Sequence, residues 1–568
     1  MNRRRLIAAL LTLAALVLLL LMAVPAMGYV SWDTLVNTGS GPSPFPVNKQ
    51  NEPVIAVNPM DPSVMVAGAN DEIDNAPALG NNTSFTPGVG DSGVYFSFNS
   101  GETWTQPTYT GGWSARTGTP QVGPIGTLPW YYERRLVSDG DPLVTFGPQP
   151  KNGTFSWSNG VRLYYSNLTS NFATVRSEQA FRGYEAIAVS RFDDPTASSV
   201  AVKENWMPPV IVSSRTSSVT FSDKESLWAD NAATSKYFGN VYVAWVSFRS
   251  NGRGGAPEPV LFSRSRNGGA TWSAPRAVTA AADSNANPGR QGVQVRTDSH
   301  GVVYLFWEGY DTKTKSSVQY MERSFDGGAS FSRPRIVAMV TDVGVLQPSG
   351  YAYFDGVQGA RTDSYPIVDV ANGAPSGENA TNLIAMSWAD ARQGLNHEEA
   401  LVQVSKDRGL TWSMPVNAAE STDRPDFPSI AISPNGKDVY LTYDGFLDPF
   451  RVNLTDFRLF QGVVRHADVT DGTIGDWTTV HRGALGDARA SSANALSDEF
   501  LGDYNWIVAT NDFAAAVWND ARNASIDQGV LDYRASLLTS IPLPKPAPTV
   551  ATFGNTDIYG TVILDPTP

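Results

Sequence analysis

The stretch Ser405-Lys-Asp407-Arg-Gly409-Leu-Thr411-Trp412 occurs in four versions along this chain, and the other three begin at Ser97, Ser265 and Ser324. All four share the frame Ser-x-Asp/Asn-x-Gly-x-Thr/Ser-Trp/Phe. The Asp/Asn position is occupied in chain order by Asn99, Asn267, Asp326 and Asp407. Such a side chain accepts hydrogen bonds from the backbone of a tight turn, and glycine supplies the positive φ that the turn needs. The repeat therefore predicts four hairpins, each buried against a sheet through its aromatic ring.

A longer repeat, with a period of roughly sixty to ninety residues, surrounds these hairpins. Each unit starts with a short apolar strand, and a second strand that ends in an aromatic residue follows it. Seven first strands are predicted, at residues 53–57, 142–146, 226–229, 292–295, 365–370, 429–432 and 506–508. Even spacing without helical periodicity indicates an all-β propeller of four-stranded antiparallel blades. Seven blades are favoured and six remain an alternative. The last unit extends to residues 530–536, and residues 30–36 supply its fourth strand.

The repeated frame resembles the Asp-box, or bacterial neuraminidase repeat, of the sialidase superfamily of β-propellers, and the resemblance spans roughly residues 50 to 540. It implies that the hairpins are structural and join the third and fourth strands of a blade, on the face away from the active site. It also implies an exported, exo-sialidase-like glycoside hydrolase that acts on extracellular glycans. Sialidases bind the substrate carboxylate with three arginines and use a Tyr–Glu nucleophile pair and an Asp acid/base.

The chain departs from this pattern at the first arginine of the sialidase triad. The family has Arg-Ile-Pro there, whereas this chain has Asn51-Glu52-Pro53. No residue is therefore carried over as a triad member. The alternative function is a non-catalytic propeller that binds glycan or protein at the cell surface.

Tyr504 starts the last inner strand, so its hydroxyl could face the central funnel beside Glu499 or Asp503, which would serve as its base. The favoured alternative is an inner-strand tyrosine packed between blades, since buried aromatic residues mostly belong to cores. The face opposite the hairpins collects the loops before the inner strands. These loops contribute Glu52, Asp139, Asp141, Asp223, Glu225, Arg290, Asp355, Arg424, Asp426, Glu499, Asp503 and Tyr504. The arginines expected near Tyr504 are Arg290, Arg392 and Arg424.

The motif Trp388-Ala-Asp390-Ala-Arg392 recurs as Trp518-Asn-Asp520-Ala-Arg522. Both copies follow second strands, so they lie on the same face as the predicted funnel. Asp390, Arg392, Asp520 and Arg522 are therefore candidate substrate-binding residues. The alternative is that each Asp–Arg pair holds its own loop.

Composition excludes several kinds of chemistry. The chain has no cysteine, so disulfides and thiolate chemistry are absent. Its net charge of −13 argues against nucleic acid as a partner, and glycan or a cell-surface polymer is the expected one. No motif indicates a cofactor, and the four scattered histidines predict no metal site. The acidic segment 70–75 leaves a structural Ca²⁺ open as an alternative.

The termini differ from the repeats. Three arginines at positions 3–5 precede an uncharged apolar run at residues 6–23, which predicts an export signal cleaved after Ala26 or Gly28. An uncleaved membrane anchor is the alternative. Both place the rest of the chain outside the cytoplasmic membrane. We therefore predict a signal or anchor at 1–28, a propeller at 29–540 and a Pro-rich tail at 541–568, with a short strand at 561–564.

Overall fold

The computed structural model describes residues 32–78, 80, 82–173, 185–213, 220–249, 258–279, 290–348 and 350–567. The predicted signal or anchor lies outside these residues. The first half of the chain has the strands β1 (Thr34–Leu35), β2 (Gln50–Val57), β3 (Met65–Asp71), β4 (Ser92–Ser97), β5 (Tyr109–Ser114), β6 (Gln121–Ile125), β7 (Leu136–Ser138), β8 (Leu143–Lys151), β9 (Thr154–Asn171), β10 (Ala186–Asp193), β11 (Trp206–Ile211), β12 (Thr220–Ala229), β13 (Val241–Arg249), β14 (Val260–Ser265) and β15 (Arg276–Ala277).

The second half has the strands β16 (Arg290–Thr297), β17 (Val303–Asp311), β18 (Ser316–Ser324), β19 (Arg335–Val340), β20 (Val345–Leu346), β21 (Ala352–Tyr353), β22 (Ile367–Val370), β23 (Ile384–Asp390), β24 (Glu399–Ser405), β25 (Val416–Asn417), β26 (Arg424–Ile432), β27 (Asp438–Phe446), β28 (Leu459–Thr470), β29 (Thr473–Ile474), β30 (Thr478–Arg482), β31 (Gly486–Asp487), β32 (Trp506–Ala509), β33 (Phe513–Asp520) and β34 (Asp557–Leu564). Within the residues that the structure describes, one α-helix, α1, spans Gln528–Leu537. In the described part of the chain, no helix is long and apolar enough to cross a membrane.

Seven antiparallel sheets form the blades of a propeller, as predicted. Their inner strands are β2, β8, β12, β16, β22, β26 and β32, and all seven overlap the first strands predicted from the sequence. Each inner strand contacts the next, and β32 contacts β2, so the ring is closed. Blade 1 has three regular strands, and its fourth position is a single bridge between Phe96 and Thr105. The short ribbons β5–β6 and β20–β21 are additions to the ring.

The last blade closes the ring with strands from both ends of the described chain. β34 pairs with β33 as its third strand, and β1 pairs with β34 as its fourth. The strand predicted near the C-terminus exists, but it belongs to the propeller. The propeller therefore continues past the boundary predicted at residue 540. Residues 530–536, predicted as part of the last unit's sheet, lie instead in α1, which belongs to the segment that connects β33 to β34.

The aromatic residues predicted for the second strands are the main contacts between blades. Five of them, at 0–1% exposure, are Trp245, Trp307, Trp388, Tyr443 and Trp518. Because side chains alternate along a strand, one face of each second strand reaches the neighbouring sheet. Large rings fill the space between the sheets, so the core consists of layers between blades.

The four repeat turns, defined as residues 97–104, 265–272, 324–331 and 405–412, share one set of hydrogen bonds. In the last copy the backbone N–H of Gly409 donates to Ser405 Oγ at 2.8 Å, and that of Thr411 donates to Asp407 Oδ1 at 2.8 Å. The other three copies make the same two bonds at 2.7–3.0 Å. Each turn joins the third strand of a blade to its fourth and packs on the preceding blade. For example, the ring centroid of Trp412 in blade 5 lies 6.0 Å from that of Phe306 in blade 4. We call this side of the ring the hairpin face and the opposite side the funnel face.

We expect Asp407→Ala to lower the free energy of unfolding by about 1–2 kcal/mol, because the backbone N–H groups of the turn lose their acceptor. Asp407→Asn is the matched control, since asparagine keeps the acceptor oxygen and occupies this position in two other copies. Urea denaturation of the three proteins measures the difference. Equal destabilisation by Ala and Asn, or loss of ligand binding in a fully folded Asp407→Ala protein, would contradict the structural role.

Candidate functional site

Several inner strands begin on the funnel face with an irregular backbone. The register with the second strand shifts at the start of β2, β12, β16 and β26, as in a β-bulge. The residues with positive φ at the inner-strand starts include Glu52 (57°), Asp141 (49°), Lys224 (53°), Gly292 (58°) and Phe427 (50°). A left-handed conformation costs a residue with a side chain about 1–2 kcal/mol. Backbone strain of this kind concentrates at functional sites, and three charged side chains carry it here.

These strand starts bring five charged residues together at the centre of the funnel face. We call Glu52, Asp141, Lys224, Arg361 and Asp503 the central charge cluster. Arg361 binds both oxygens of Asp503 through Nε and Nη2, at 2.7 and 2.6 Å. Lys224 Nζ contacts Asp503 and lies 3.2 Å from Asp141 Oδ2. Arg361 Nη2 is 3.7 Å from Glu52 Oε1. The members come from blades 1, 2, 3 and 7 and from the loop that enters blade 5.

Glu52 and Asp141 have opposite pKa shifts. Burial and the Asp141 carboxylate raise the pKa of Glu52 well above its usual range. Burial also disfavours the charge on Asp141, but Lys224 and hydrogen bonding with Glu52 and Asp223 hold the pKa of Asp141 well below its usual range. The pKa of Glu52 therefore lies well above that of its neighbour Asp141. Two carboxyls whose environments separate their pKa values are the typical parts of an acid–base site.

A second acidic pair lies on the blade 4 and 5 side of the same face. Burial and the nearby Asp363 and Asp342 raise the pKa of Glu308 well above its usual range. Burial raises the pKa of Asp363 to about 6, although hydrogen bonding with Glu308 opposes the shift. Asp363 is partly exposed and interacts electrostatically with Asp503. In both pairs on the funnel face, burial raises the pKa of the glutamate well above its usual range.

Arg361 is the most accessible member of the central charge cluster. Its side chain keeps 33% of its area exposed, compared with 9% for Asp503 and 10% for Lys224. The guanidinium has five N–H groups, and only part of this fork is occupied by Asp503. Arg361 can therefore donate hydrogen bonds to an oxygen of a bound ligand without leaving its partner.

Asp503 belongs to the central charge cluster, whereas the Tyr504 hydroxyl, predicted to face the funnel, is buried beside that cluster. Tyr504 is nearly buried, and its ring lies 5.8 Å from Lys224 Nζ. Within the described residues its hydroxyl has no hydrogen-bond partner. Burial, Asp141 and Glu52 raise the pKa of Tyr504 well above its usual range, so a phenolate is disfavoured. Asp503 is ionised but is already bound by two cations.

Glu499, named with Tyr504 as a candidate catalytic residue, has a buried partner of its own. Its carboxyl group contacts Arg458, and both side chains are fully buried. Burial raises the pKa of Glu499 well above its usual range, although Arg458 opposes the shift. Arg424, expected near Tyr504, is bound by Glu398 at 2.8 and 2.9 Å. Arg458 and Arg424 therefore hold loops of the funnel face and do not belong to the central charge cluster.

The two Trp-x-Asp-x-Arg motifs have the same internal bonds. In each copy the indole N–H donates to the aspartate, at 2.9 Å in Asp390 and 3.1 Å in Asp520. The arginine binds the same carboxylate through Nε and Nη2, in Arg392 and Arg522 alike. Arg522 also binds Asp33. These contacts match the alternative in which each pair holds its own loop. The side chain of Arg290 lies outside the described residues.

Sequence reasoning placed Glu52, Asp141 and Asp503 on the correct face but did not select Lys224 or Arg361. Both had a local signal. Lys224 stands between Asp223 and Glu225, immediately before the inner strand predicted at residues 226–229. Arg361 lies in the segment that precedes β22, two residues before Asp363. Their role becomes visible only where the ring brings them against Asp503.

The acidic segment 70–75 is bound by protein donors. Asp71 accepts from the backbone N–H of Ile73 and from Tyr95, at 3.0 and 2.8 Å. Asp74 accepts from Arg116 and Thr127, both at 2.7 Å. These carboxylates hold the loop that leads out of β3.

The half of the central channel nearer the hairpin face forms a cavity of about 230 Å³, which opens on that face. Its wall is mostly Ile, Val, Leu and Pro from the inner strands and the loops after them. One ion pair interrupts this wall, since Arg296 Nε lies 3.6 Å from Asp369 Oδ1 and the guanidinium stacks over Trp228 at 4.7 Å. The carboxyl pairs described above belong to the opposite end of the channel.

No protein-family model matches the sequence, and no curated protein is significantly similar to it. Several solved structures have a similar fold. A Hadza microbial sialidase is 12% identical, with 80% of this chain and 73% of its own covered and a TM-score of 0.36. Phage phi92 endosialidase is 10% identical, with 94% and 69% covered and a TM-score of 0.40. Penicillium chrysogenum α-L-arabinanase is 12% identical, with 60% and 93% covered and a TM-score of 0.31. At these identities the similarity concerns the fold alone, and the chemistry of the site rests on its own side chains.

Proposed function

We propose that the protein is a glycoside hydrolase whose active site is the centre of the funnel face. The observation that carries the proposal is that the funnel face holds two carboxyl groups suited to opposite roles beside the accessible Arg361: Glu52, whose pKa lies well above its usual range, and Asp363, whose pKa is about 6. Hydrolysis of a glycosidic bond needs a proton donor for the leaving oxygen and a carboxylate for the attacking water. The funnel face offers both.

In this proposal Glu52 is the general acid. It donates its proton to the glycosidic oxygen as the bond to the anomeric carbon breaks. Asp363, with a pKa of about 6, accepts a proton from the water that attacks that carbon. Arg361 donates hydrogen bonds to ring or hydroxyl oxygens, and Asp503 and Lys224 fix its position. The products are a reducing sugar and the released alcohol.

The substrate class in this proposal is a neutral glycan at its exposed end. A sialoside brings a carboxylate, which sialidases bind with three arginines. The central charge cluster contains one arginine, and Asp503 already neutralises it. The Asp141 and Asp503 carboxylates balance the charges of Lys224 and Arg361, so the cluster has no unpaired cation for a further anion. Neutral sugars match this balance of charge better than sialic acid.

The test is hydrolysis of a panel of aryl glycosides, sialosides included. The rate should fall below about pH 6 because Asp363 takes up a proton, and again at alkaline pH because Glu52 loses one. Asp363→Asn should abolish the fall in rate below about pH 6. It should also lower the rate itself by about 10²–10⁴-fold. Asp342→Asn is a matched control on the same side of the face. A pH profile that is flat between 5 and 7 would contradict the role of Asp363.

Tyr504→Phe should leave the rate within a few-fold of wild type. The hydroxyl has no hydrogen-bond partner within the described residues and its pKa is raised, so it is poorly suited to act as a nucleophile. The measurement is kcat on the best substrate of the panel. A loss of a hundredfold or more in a folded protein would restore the tyrosine nucleophile that the sialidase resemblance implies.

The ion pairs at the funnel centre favour a second candidate, a non-catalytic propeller that binds glycan. Asp503 is held by two cations, and such a network suits a rigid binding platform as well as catalysis. Binding of a glycan array without turnover of any member would favour this candidate.

We also propose that the propeller acts outside the cytoplasmic membrane, on the basis of the apolar run behind the N-terminal arginines. Expression in a bacterial host followed by N-terminal sequencing of the recovered protein should give a start at Met27 or Tyr29. An intact Met1 in a membrane fraction would indicate the anchor instead. Folded protein confined to the cytoplasm would contradict both versions.

A further inference from the structure

Blade 6 carries a buried histidine between two aspartates. In the pairing of β27 with β28, Asp438 lies directly opposite Asp468, and Tyr440 lies opposite His466. All four side chains therefore project from one face of the sheet. Like charges directly opposite each other destabilise an antiparallel pair. A positive group between the two carboxylates would offset this repulsion.

The distances around His466 leave room for a metal ion between the three ligand atoms. His466 Nε2 is 3.3 Å from Asp438 Oδ1 and 3.8 Å from Asp468 Oδ1. Both separations exceed the roughly 2.7–2.9 Å of a charge-assisted hydrogen bond. Ligand atoms about 2.1 Å from a tetrahedral ion are about 3.4 Å from one another. The three ligand atoms all lie within 4.8 Å of one another, so one ion fits between them with small adjustments.

We propose that Asp438, His466 and Asp468 bind one divalent transition-metal ion of the zinc type. One imidazole and two carboxylates suit Zn²⁺, whereas Ca²⁺ takes six to eight oxygen ligands. The Tyr440 ring packs 4.8 Å from the His466 ring and fixes its orientation. Asp438 and His466 are buried, and Asp468, with 58% of its side chain exposed, leaves a path for the ion and a position for water. The four scattered histidines of the sequence predicted no metal site. The proposed site differs from that prediction because the pairing of β27 with β28 brings its three ligands together.

The site lies where blade 6 meets the end of the chain. The hydroxyl of Thr567, three residues after β34, donates to Asp468 Oδ1. The backbone N–H of Asp565 donates to the carbonyl of Asp512 in the β32–β33 loop. An ion at this position ties the second strand of blade 6 to its third and, through Thr567, to the segment that follows the ring-closing strand. Its expected role is therefore structural, and it is independent of the proposed hydrolysis at the funnel face.

The test is calorimetric titration of Zn²⁺ into the full chain after treatment with a chelator. Wild type should bind one ion per chain. Asp468→Asn should bind at least tenfold more weakly, and because Asp468 is mostly exposed this variant should fold normally. His397→Ala is the matched control, since His397 is exposed and lies outside the site. Zn²⁺ should also raise the Tm of wild type and of His397→Ala by a few degrees, and leave that of Asp468→Asn unchanged.

Two results would overturn the proposal. One is the absence of stoichiometric Zn²⁺ binding by folded wild type at micromolar concentration. The other is binding that is equally tight in wild type, Asp468→Asn and His466→Ala, which would place the ion elsewhere. Circular dichroism of each variant verifies that a loss of binding does not come from unfolding.

Discussion

Glu52→Gln should lower kcat on the best glycoside substrate by about 10²–10⁴-fold, the range for loss of a general acid. Glutamine has nearly the same shape and keeps an acceptor for Asn70, which donates to Glu52 Oε2 at 3.0 Å. It cannot release a proton to the leaving oxygen. Substrates with good leaving groups need little protonation, so the loss should be smaller for nitrophenyl glycosides than for natural glycans. Asn70→Ala, which removes a neighbour of Glu52 but no proton, is the control.

The same variant should not be destabilised. Because the folded pKa of Glu52 lies well above its unfolded value of 4.5, wild type loses stability as pH rises from that value toward the folded pKa. Glutamine has no proton to lose, so Glu52→Gln should equal or exceed wild type in unfolding free energy at pH 8. Inactivity with lower stability at pH 8 would instead indicate a structural role for Glu52.

Arg458→Ala should lower the free energy of unfolding by about 3–5 kcal/mol, because it leaves Glu499 buried without its cation. The Arg458 side chain is fully buried and also donates to the carbonyls of Val357 and Asn453, at 2.9 and 2.8 Å. Guanidinium denaturation measures the change. Arg451→Ala is the control, since its pair with Asp448 is partly exposed and should contribute about 0–1 kcal/mol.

Glu499 can be tested for catalysis in the same series. Glu499→Gln keeps a hydrogen-bond acceptor for Arg458, so a folded fraction should remain and should turn substrate over at the wild-type rate per folded molecule. An effect of Arg458→Ala no larger than that of Arg451→Ala would contradict the structural assignment. Loss of turnover in folded Glu499→Gln would return Glu499 to the candidate catalytic residues.

The scaffold was predictable because its signals are local. Each repeat turn contains its own hydrogen-bonding partners within eight residues, so a frame such as that around Asp407 specifies a hairpin by itself. The inner strands follow at regular intervals, each short and apolar. Their ring contacts follow from the repeat, and seven blades result once the ends of the chain pair.

Non-local pairing explains the errors. The four prolines at 542–548 resemble a linker, yet the chain returns as β34 to pair with β33 and with β1, whose residues lie more than 500 positions earlier. No local pattern encodes such a contact. Residues 530–536 have alternating apolar character that fits a strand, but Asp527 caps a helix there by accepting from the backbone N–H of Val530.

The site was only partly predictable for the same reason. Position before an inner strand was enough to put Glu52, Asp141 and Asp503 on the funnel face. Which side chains meet depends on the radius of the ring and on the β-bulges, at which Glu52 and Lys224 adopt a positive φ. The arginines chosen for their motifs, Arg392 and Arg522, are held by aspartates two residues away, and the pattern in the sequence reflects that local pairing.

The most direct test of the proposed function is product release by wild-type protein incubated with a panel of neutral and sialylated glycans between pH 4 and 9. We predict release of a terminal sugar from at least one neutral glycan, with the highest rate above pH 6, and release about 10²–10⁴-fold slower by Glu52→Gln under the same conditions. Tight glycan binding by a folded wild-type protein that releases no sugar at any pH would contradict hydrolysis and identify the funnel face as a binding surface.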